Sequence, residues 1–405
     1  MGIVRWLEHL LLDPLWGHKM RFVGGPRQCG KTTLAKMLLE KKESGNLYYN
    51  WDVPAVRDRY RDDSLFYRKD LPSRKTAWAC FDEIHKSQKW KDILKGIYDQ
   101  DSRKLTLLVT GSARLVPSRR GGDSLAGRYL LFHLPPILAG ELAGKTPALY
   151  VPANARNWLD KRINMEESPE GRSAIDRLWR FGPFPDPLLK GSDRFSRLWR
   201  RDYLDSVIKG DLRDLTRLHD LESVENLISM IPDRVGVPFS INAVREDLDV
   251  AFATVKNMLR HLERLYVIFS IPPFTGALKR PVKKERKVYL FEWSTIQDPG
   301  ARFENLVALE LLGLTWLWQD SGAGDFELSF VRTREGKETD FLITRNGAPW
   351  CLFECKFSPA RVDPHHLRFA QNLGQIPIVQ VVRTHGHLRA RKRDVVEISA
   401  ARLLA

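Results

Sequence analysis

The octapeptide Gly25-Pro26-Arg27-Gln28-Cys29-Gly30-Lys31-Thr32 constrains this chain more than any other segment. It follows the apolar run Met20-Arg21-Phe22-Val23 and opens Thr32-Thr33-Leu34-Ala35-Lys36-Met37-Leu38-Leu39, whose apolar residues recur at helical spacing. A G-x-x-x-x-G-K-[ST] segment between a strand and a helix is a phosphate-binding loop. Its glycines let successive backbone N–H groups curl around phosphate oxygens, and the helix N-terminus adds the positive end of its dipole. Gly25 to Thr33 are the expected ATP contacts, with Lys31 reaching the β/γ-phosphates and the Thr32 hydroxyl placed on Mg²⁺.

The second half of such a site is expected at Ala77-Trp78-Ala79-Cys80-Phe81-Asp82-Glu83. An apolar strand ending in two acids offers Asp82 to the metal and Glu83 as general base for the attacking water. A third run, Leu107-Leu108-Val109-Thr110-Gly111-Ser112, ends in hydroxyls, of which Thr110 or Ser112 can sense the γ-phosphate. Apolar runs alternating with helical segments over residues 19–145 predict a parallel sheet covered on both faces. After residue 144 the pattern changes. Prolines break the chain, residues 196–270 read as mostly helical, and the last hundred residues are strand-rich. The chain of 405 residues is thereby divided into 1–145, 146–295 and 296–405.

Asp82-Glu83-Ile84-His85-Lys86, Thr110-Gly111-Ser112-Ala113-Arg114-Leu115 and the loop from Arg119 to Tyr129 resemble prokaryotic AAA-type ATPases that carry a DUF4143 C-terminal region. Gly182-Pro183-Phe184-Pro185, Asp211-Leu212-Arg213-Asp214-Leu215, Arg302-Phe303-Glu304-Asn305 and Glu338-Thr339-Asp340-Phe341-Leu342 extend the likeness over nearly the whole chain. The resemblance implies an additional-strand α/β P-loop ATPase, then a helical and winged-helix region, then an α/β domain similar to restriction-endonuclease cores. It also makes Arg128 a candidate for stabilising γ-phosphate charge, in cis or from a neighbouring subunit of a homo-oligomer.

A formal charge of +15 points to a polyanionic partner, DNA before RNA. Residues 240–248 and 253–262 read as two short helices. Lys256 and Arg260 lie off the apolar face of the second, as in a helix that enters a major groove. The basic run Lys279, Arg280, Lys283, Lys284, Arg286, Lys287 is expected to form a wing against phosphates. The competing reading is a packing module that touches no DNA.

At the C-terminus, Asp340 and the later Glu354-Cys355-Lys356 form the PD-(D/E)xK nuclease arrangement, with Glu304 as the acid from a preceding helix. Such oxygen ligands suit Mg²⁺ or Mn²⁺, and Lys356 can orient water. A tight two-residue turn at Asn346-Gly347 would put Asp340 and Glu354 on opposite faces, so the reading requires an odd loop or a bulge near Pro349. Cys29, Cys80, Cys351 and Cys355 lack the C-x-x-C spacing of metal or redox sites, which fits a cytoplasmic protein. No stretch approaches the roughly 18 apolar residues of a membrane span, and no membrane partner is expected. Three functions follow: an ATP-driven nucleic-acid enzyme, an ATP-gated signalling or defence-type switch whose nuclease-like domain does not cleave, and a DNA-binding scaffold.

Overall fold

The Met20–Gly24 strand (β1) is buried along its whole length, which is why it reads as an uninterrupted apolar run. In the computed structural model, which describes residues 3–72, 76–111, 125–149, 151–207, 210, 221–276, 285–391 and 394–405, it is the fourth strand of a five-stranded sheet. The others are β2 (Tyr48–Asn50), β3 (Ala77–Asp82), β4 (Leu105–Gly111) and β5 (Tyr129–His133), in the order β2-β3-β4-β1-β5. Every pairing is parallel. Strand β4 therefore intervenes between the strand of the glycine-rich loop and the strand ending in Asp82. One core runs beneath the sheet through Phe22, Tyr49, Phe81, Leu94, Ile97 and Val109.

The chain divides into two units, Val4–Pro136, which holds this sheet, and Ile137–Ala405 together with the first residues. The second unit opens with helices, including Pro169–Phe181, Asp193–Ser206 and Leu221–Met230. Two short helices follow, Ile241–Asp247 and Phe252–Arg264, then the antiparallel pair β6 (Ile268–Ile271) and β7 (Lys287–Leu290). The first of those helices is capped by the Ser240 hydroxyl, as its sequence predicts.

The remainder is built on Pro299–Asp320, a helix started by the Asp298 side chain and by proline in its first turn. It is buried nearly all round, which is rare outside the centre of a domain. Against it lies a mixed six-stranded sheet of β8 (Phe326–Arg332), β9 (Glu338–Arg345), β10 (Ala348–Lys356), β11 (Ile378–Val382), β12 (Leu388–Arg391) and β13 (Val395–Ser399). Its order is β12-β13-β11-β10-β9-β8. Among the described residues no helix is long and apolar enough to cross a membrane.

One buried acid on the long helix has a pH signature. Burial pushes Glu310 up to about 8; the Ala139 N–H partly offsets this and Glu141 adds to it. Between the ordinary value of 4.5 and about 8, the folded chain holds a proton that the unfolded chain has released. Stability contributed by this group is therefore full at low pH and falls as pH rises through that window. Glu310→Gln keeps the acceptor for Ala139 and removes the titration. The variant is expected to melt above the wild type at pH 8 and level with it near pH 4.5, the gap growing by about 1 kcal/mol per pH unit. Parallel pH dependence of the two melting temperatures would contradict this.

Candidate functional site

The loop after β1 is shaped by one close approach. A Cβ at Gly25 would lie 2.2 Å from the Leu134 carbonyl oxygen, so only glycine fits there. Gln28 and Gly30 take left-handed backbone conformations, φ 60° and 100°, which bend the loop into the Lys31–Lys41 helix. Arg5, buried, donates to the Cys29 and Pro135 carbonyls at 2.7 and 2.6 Å and braces the loop from below. Gly25, Pro26 and Cys29 face inward, while the Arg27, Gln28, Thr32 and Thr33 side chains are exposed. The Lys31 ammonium folds back on the loop, donating to the Gly25 and Pro26 carbonyls at 3.0 and 2.6 Å. These are contacts that phosphate oxygens can take over.

Asp82 ends β3 in register with Thr110 of β4 and Asn50 of β2, so the strand ends converge beside the loop. Its carboxylate accepts from three hydroxyls: Thr32 at 2.8 Å, Thr110 at 2.5 Å and Tyr48 at 2.5 Å. Glu83 follows in a left-handed conformation, φ 57°, its N–H donating to the Thr110 carbonyl. Burial pushes Glu83 up to about 7; Lys31 pulls it down and Asp82 pushes it up. A carboxyl poised there, 3.3 Å from His85 Nε2, is suited to exchanging a proton near neutrality. The donor set fits a magnesium nucleotide, since Thr32 and Asp82 already touch and hydroxyls can turn to accept as well as donate.

Arg128 is not brought to this loop. It precedes β5 at the opposite end of the sheet, where its carbonyl accepts from Met20 N–H. The length of β1, at about 3.3 Å per residue, separates it from Gly25 by roughly 15 Å. Its guanidinium holds Asp99 through two bonds, 2.8 and 3.3 Å. Service to its own chain's γ-phosphate does not fit this placement. Ser112 lies outside the described residues. Tyr48 was not expected at the site; its only signal was an aromatic ring opening the strand paired with β3.

A second constellation forms in the other unit. The Asn346-Gly347 turn is the tight two-residue kind, with φ 52° and 77°. The register then shifts between Pro349 and Cys351, leaving Trp350 as the extra residue of a bulge. Beyond it Phe353 pairs with Phe341, so Asp340 and Glu354 come opposite each other on one face. The Asp340 N–H reaches Glu354 Oε2 at 3.4 Å, and Glu304 from the long helix joins them across Lys287. Lys356 Nζ lies 2.8 Å from Glu354 Oε1. Burial pushes the Glu304 and Glu354 carboxyls up and Asp340 adds to both; Lys287 opposes the rise at Glu304, Lys356 at Glu354.

Lys287 departs from its expected place in a phosphate-facing wing. It has no exposed surface and its Nζ lies 2.6 Å from Glu338, 3.1 Å from Glu304 and 3.4 Å from Asp340. Burial alone would lower this ammonium, but Glu304, Asp340 and Glu338 together raise it. The alternation of β7 was the missed signal: Lys287 and Tyr289 share a face, and both bond Glu304. Glu338 was missed likewise, sharing a face with Asp340. A divalent ion at Glu304, Asp340 and Glu354 does not fit this arrangement, because an ammonium fixed on the first two takes the cation position.

Lys256 and Arg260 lie exposed on Phe252–Arg264, away from its buried Val255, Met258 and Leu262. They border an open groove of about 740 Å³ together with Phe239, Phe252 and Arg286. Lys279, Arg280, Lys283 and Lys284 lie outside the described residues.

Residues 17–143 match the AAA domain family, 172–295 a domain of unknown function, DUF8612, and 299–402 the domain of unknown function DUF4143. An uncharacterized protein of Mycobacterium tuberculosis is 22% identical over 395 residues, covering 94% of this chain and 80% of its own length. An uncharacterized protein of Methanocaldococcus jannaschii is 24% identical over 287 residues, 65% of this chain and 59% of its own. Among solved structures, the Aeropyrum pernix ORC1 protein in complex with DNA superposes at TM-score 0.27 with 17% identity, covering 75% of this chain and 90% of that one. AMPPCP-bound DnaA from Aquifex aeolicus gives 0.28 with 15% identity, covering 60% and 82%.

Replacing Gly25 by alanine is expected to force the loop away from Leu134 and weaken binding of a fluorescent ATP analogue by more than about tenfold, with the circular dichroism spectrum retained. Unchanged affinity would show that the loop tolerates a Cβ and does not hold phosphate as described.

Proposed function

We propose that this chain, which joins an AAA-type ATPase domain to a DUF4143 domain, hydrolyses ATP with Mg²⁺ and uses the cycle to control a nucleic-acid-engaging region. The convergence of Lys31, Thr32, Asp82 and Glu83 at the C-terminal ends of β1 and β3 carries this reading. Lys31 exchanges its loop carbonyls for β- and γ-phosphate oxygens. Thr32 and Asp82 hold the metal, with Tyr48 and Thr110 fixing the Asp82 carboxylate from its other sides. Glu83 takes the proton of the attacking water. Bound magnesium supplies charge neutralisation at the phosphates. Arg128 enters only as a residue offered to a neighbouring subunit of a homo-oligomer, after release from Asp99. In a phosphate-free assay, Lys31→Ala is expected to lose ATP binding, and Glu83→Gln to bind ATP but turn it over at least about a hundredfold more slowly. An unchanged rate in Lys31→Ala would refute the reading.

The two helices and the β6–β7 pair have the order of a winged helix, and with the charge of +15 they favour DNA as partner. In this reading residues 1–145 are the motor, 146–295 the helical and winged-helix region, and 296–405 the nuclease-like domain. Four free cysteines suit a reducing cytoplasm. Lys256→Ala with Arg260→Ala is expected to weaken duplex DNA binding and to lower the salt slope by about 2. DNA affinity and salt slope equal to the wild type would remove these residues from the interface. Of the alternatives, the buried Lys287 favours a switch whose nuclease-like domain does not cleave over a metal-dependent nuclease.

A further inference from the structure

In the C-terminal constellation most of the oxygens that a divalent metal would need are already engaged. Asp340 Oδ1 faces Lys287 at 3.4 Å, and Oδ2 accepts from the Cys355 N–H at 2.9 Å. Glu354 Oε1 faces Lys356, and Oε2 faces the Asp340 N–H. Glu304 Oε1 receives both Lys287 and the Tyr289 hydroxyl, at 3.1 and 2.8 Å. Its other oxygen lies where a side chain on Gly236, φ +82°, would collide at 2.8 Å, so that side is walled by backbone. Glu338 is shared between Lys287 and Arg332. Four carboxylates thus meet three fixed cations, Lys287, Lys356 and Arg332.

The lysine is held by its backbone as well as by its charge. Strand β7 pairs with β6, Phe239 N–H bonds the Arg286 carbonyl, and Pro238 bridges Lys287 itself. Asn305, next to Glu304, grips Leu290 through both its amide groups, at 2.8 Å each. The strand carrying the ammonium and the helix carrying the acid are therefore locked at the register that sets Nζ among the carboxylates. An ammonium only donates and cannot share a carboxylate lone pair with a metal at coordinating distance.

We infer that Lys287 is a resident internal cation that replaces the divalent metal of a PD-(D/E)xK centre, so that this domain keeps its acidic cluster without metal. The inference goes beyond the nucleotide reading and does not rest on it. Its test uses the full chain carrying Asp82→Asn, without nucleotide, so that the phosphate loop contributes no metal. Mn²⁺ binding is followed by electron paramagnetic resonance and by melting temperature. With Lys287 in place, no Mn²⁺ is expected below millimolar concentration and no rise in melting temperature. Lys287→Met is expected to melt several degrees lower, to regain part of that loss with Mn²⁺, and to bind Mn²⁺ at least about tenfold more tightly. Submillimolar Mn²⁺ on the Lys287 protein that Asp340→Asn abolishes would overturn the inference. So would a folded Lys287→Met chain with no gain in Mn²⁺ affinity. Should Lys287→Met fail to fold, the Lys287 arm decides alone: Mn²⁺ binding sensitive to Asp340→Asn overturns the inference, and its absence supports it. ATP turnover is read separately, on the chain with Asp82 intact.

Discussion

An ammonium with no exposed surface, set among Glu304, Glu338 and Asp340, governs how the second half of this molecule is assembled. Moving one such charge out of water costs several kcal/mol, and only close, well-directed partners offset it. Those partners come from the long helix and from β9, so the cost is offset only when β7, the helix and the six-stranded sheet meet in one register. Removing Lys287 itself leaves Glu304 and Asp340 without the ammonium that pairs them. The cluster therefore acts as a register device: a slip of β7 by one residue would turn Lys287 to the opposite face, away from Glu304, Glu338 and Asp340.

The nucleotide loop solves a different problem. Its backbone must keep N–H groups free for a ligand yet hold a bent path. Gly25 against Leu134, the left-handed Gln28 and Gly30, and Arg5 beneath Cys29 and Pro135 fix that path without using the donors. Lys31 meanwhile satisfies itself on two loop carbonyls, so the buried ammonium is not left unpaired. Little reorganisation is needed to accept phosphate, which is where such a loop gains its affinity.

How much of this was legible follows from the range of the interactions. Residues 25–32 and the Asp82-Glu83 pair are local patterns, and their strand–loop–helix setting is written in a few dozen residues. Trp350 shows the limit. Its bulge decides whether Asp340 and Glu354 share a face, and the sequence offered only Pro349 and a parity argument. Lys287 ends a basic run, and runs of like charge are ordinarily solvated, so the local sequence hides its buried role. Its true partners are 17, 51 and 53 positions away, at Glu304, Glu338 and Asp340, beyond any local pattern. For Arg128 only the in-cis role conflicts with the fold: its loop points to phosphate chemistry, but the direction of β5 carries it to the far end of the sheet from its own chain's phosphate loop.

The two acidic centres differ in the hydrogen-bonding partners of their carboxylates. Asp82 is surrounded by hydroxyls of Thr32, Thr110 and Tyr48. A hydroxyl donates to a carboxylate in one rotamer and offers a lone pair to a cation in another, so the Asp82 cluster keeps its negative charge available while its hydrogen bonds stay satisfied. At Asp340 the partners are an ammonium and a backbone N–H, which have no acceptor state. A cation already sits on that carboxylate, and a divalent ion would have to displace a buried lysine into the low-dielectric space that made its pairing strong. The two carboxylates thus meet a cation with different neighbours. The distinction lies in whether the neighbours of each carboxylate can reverse their hydrogen bonds.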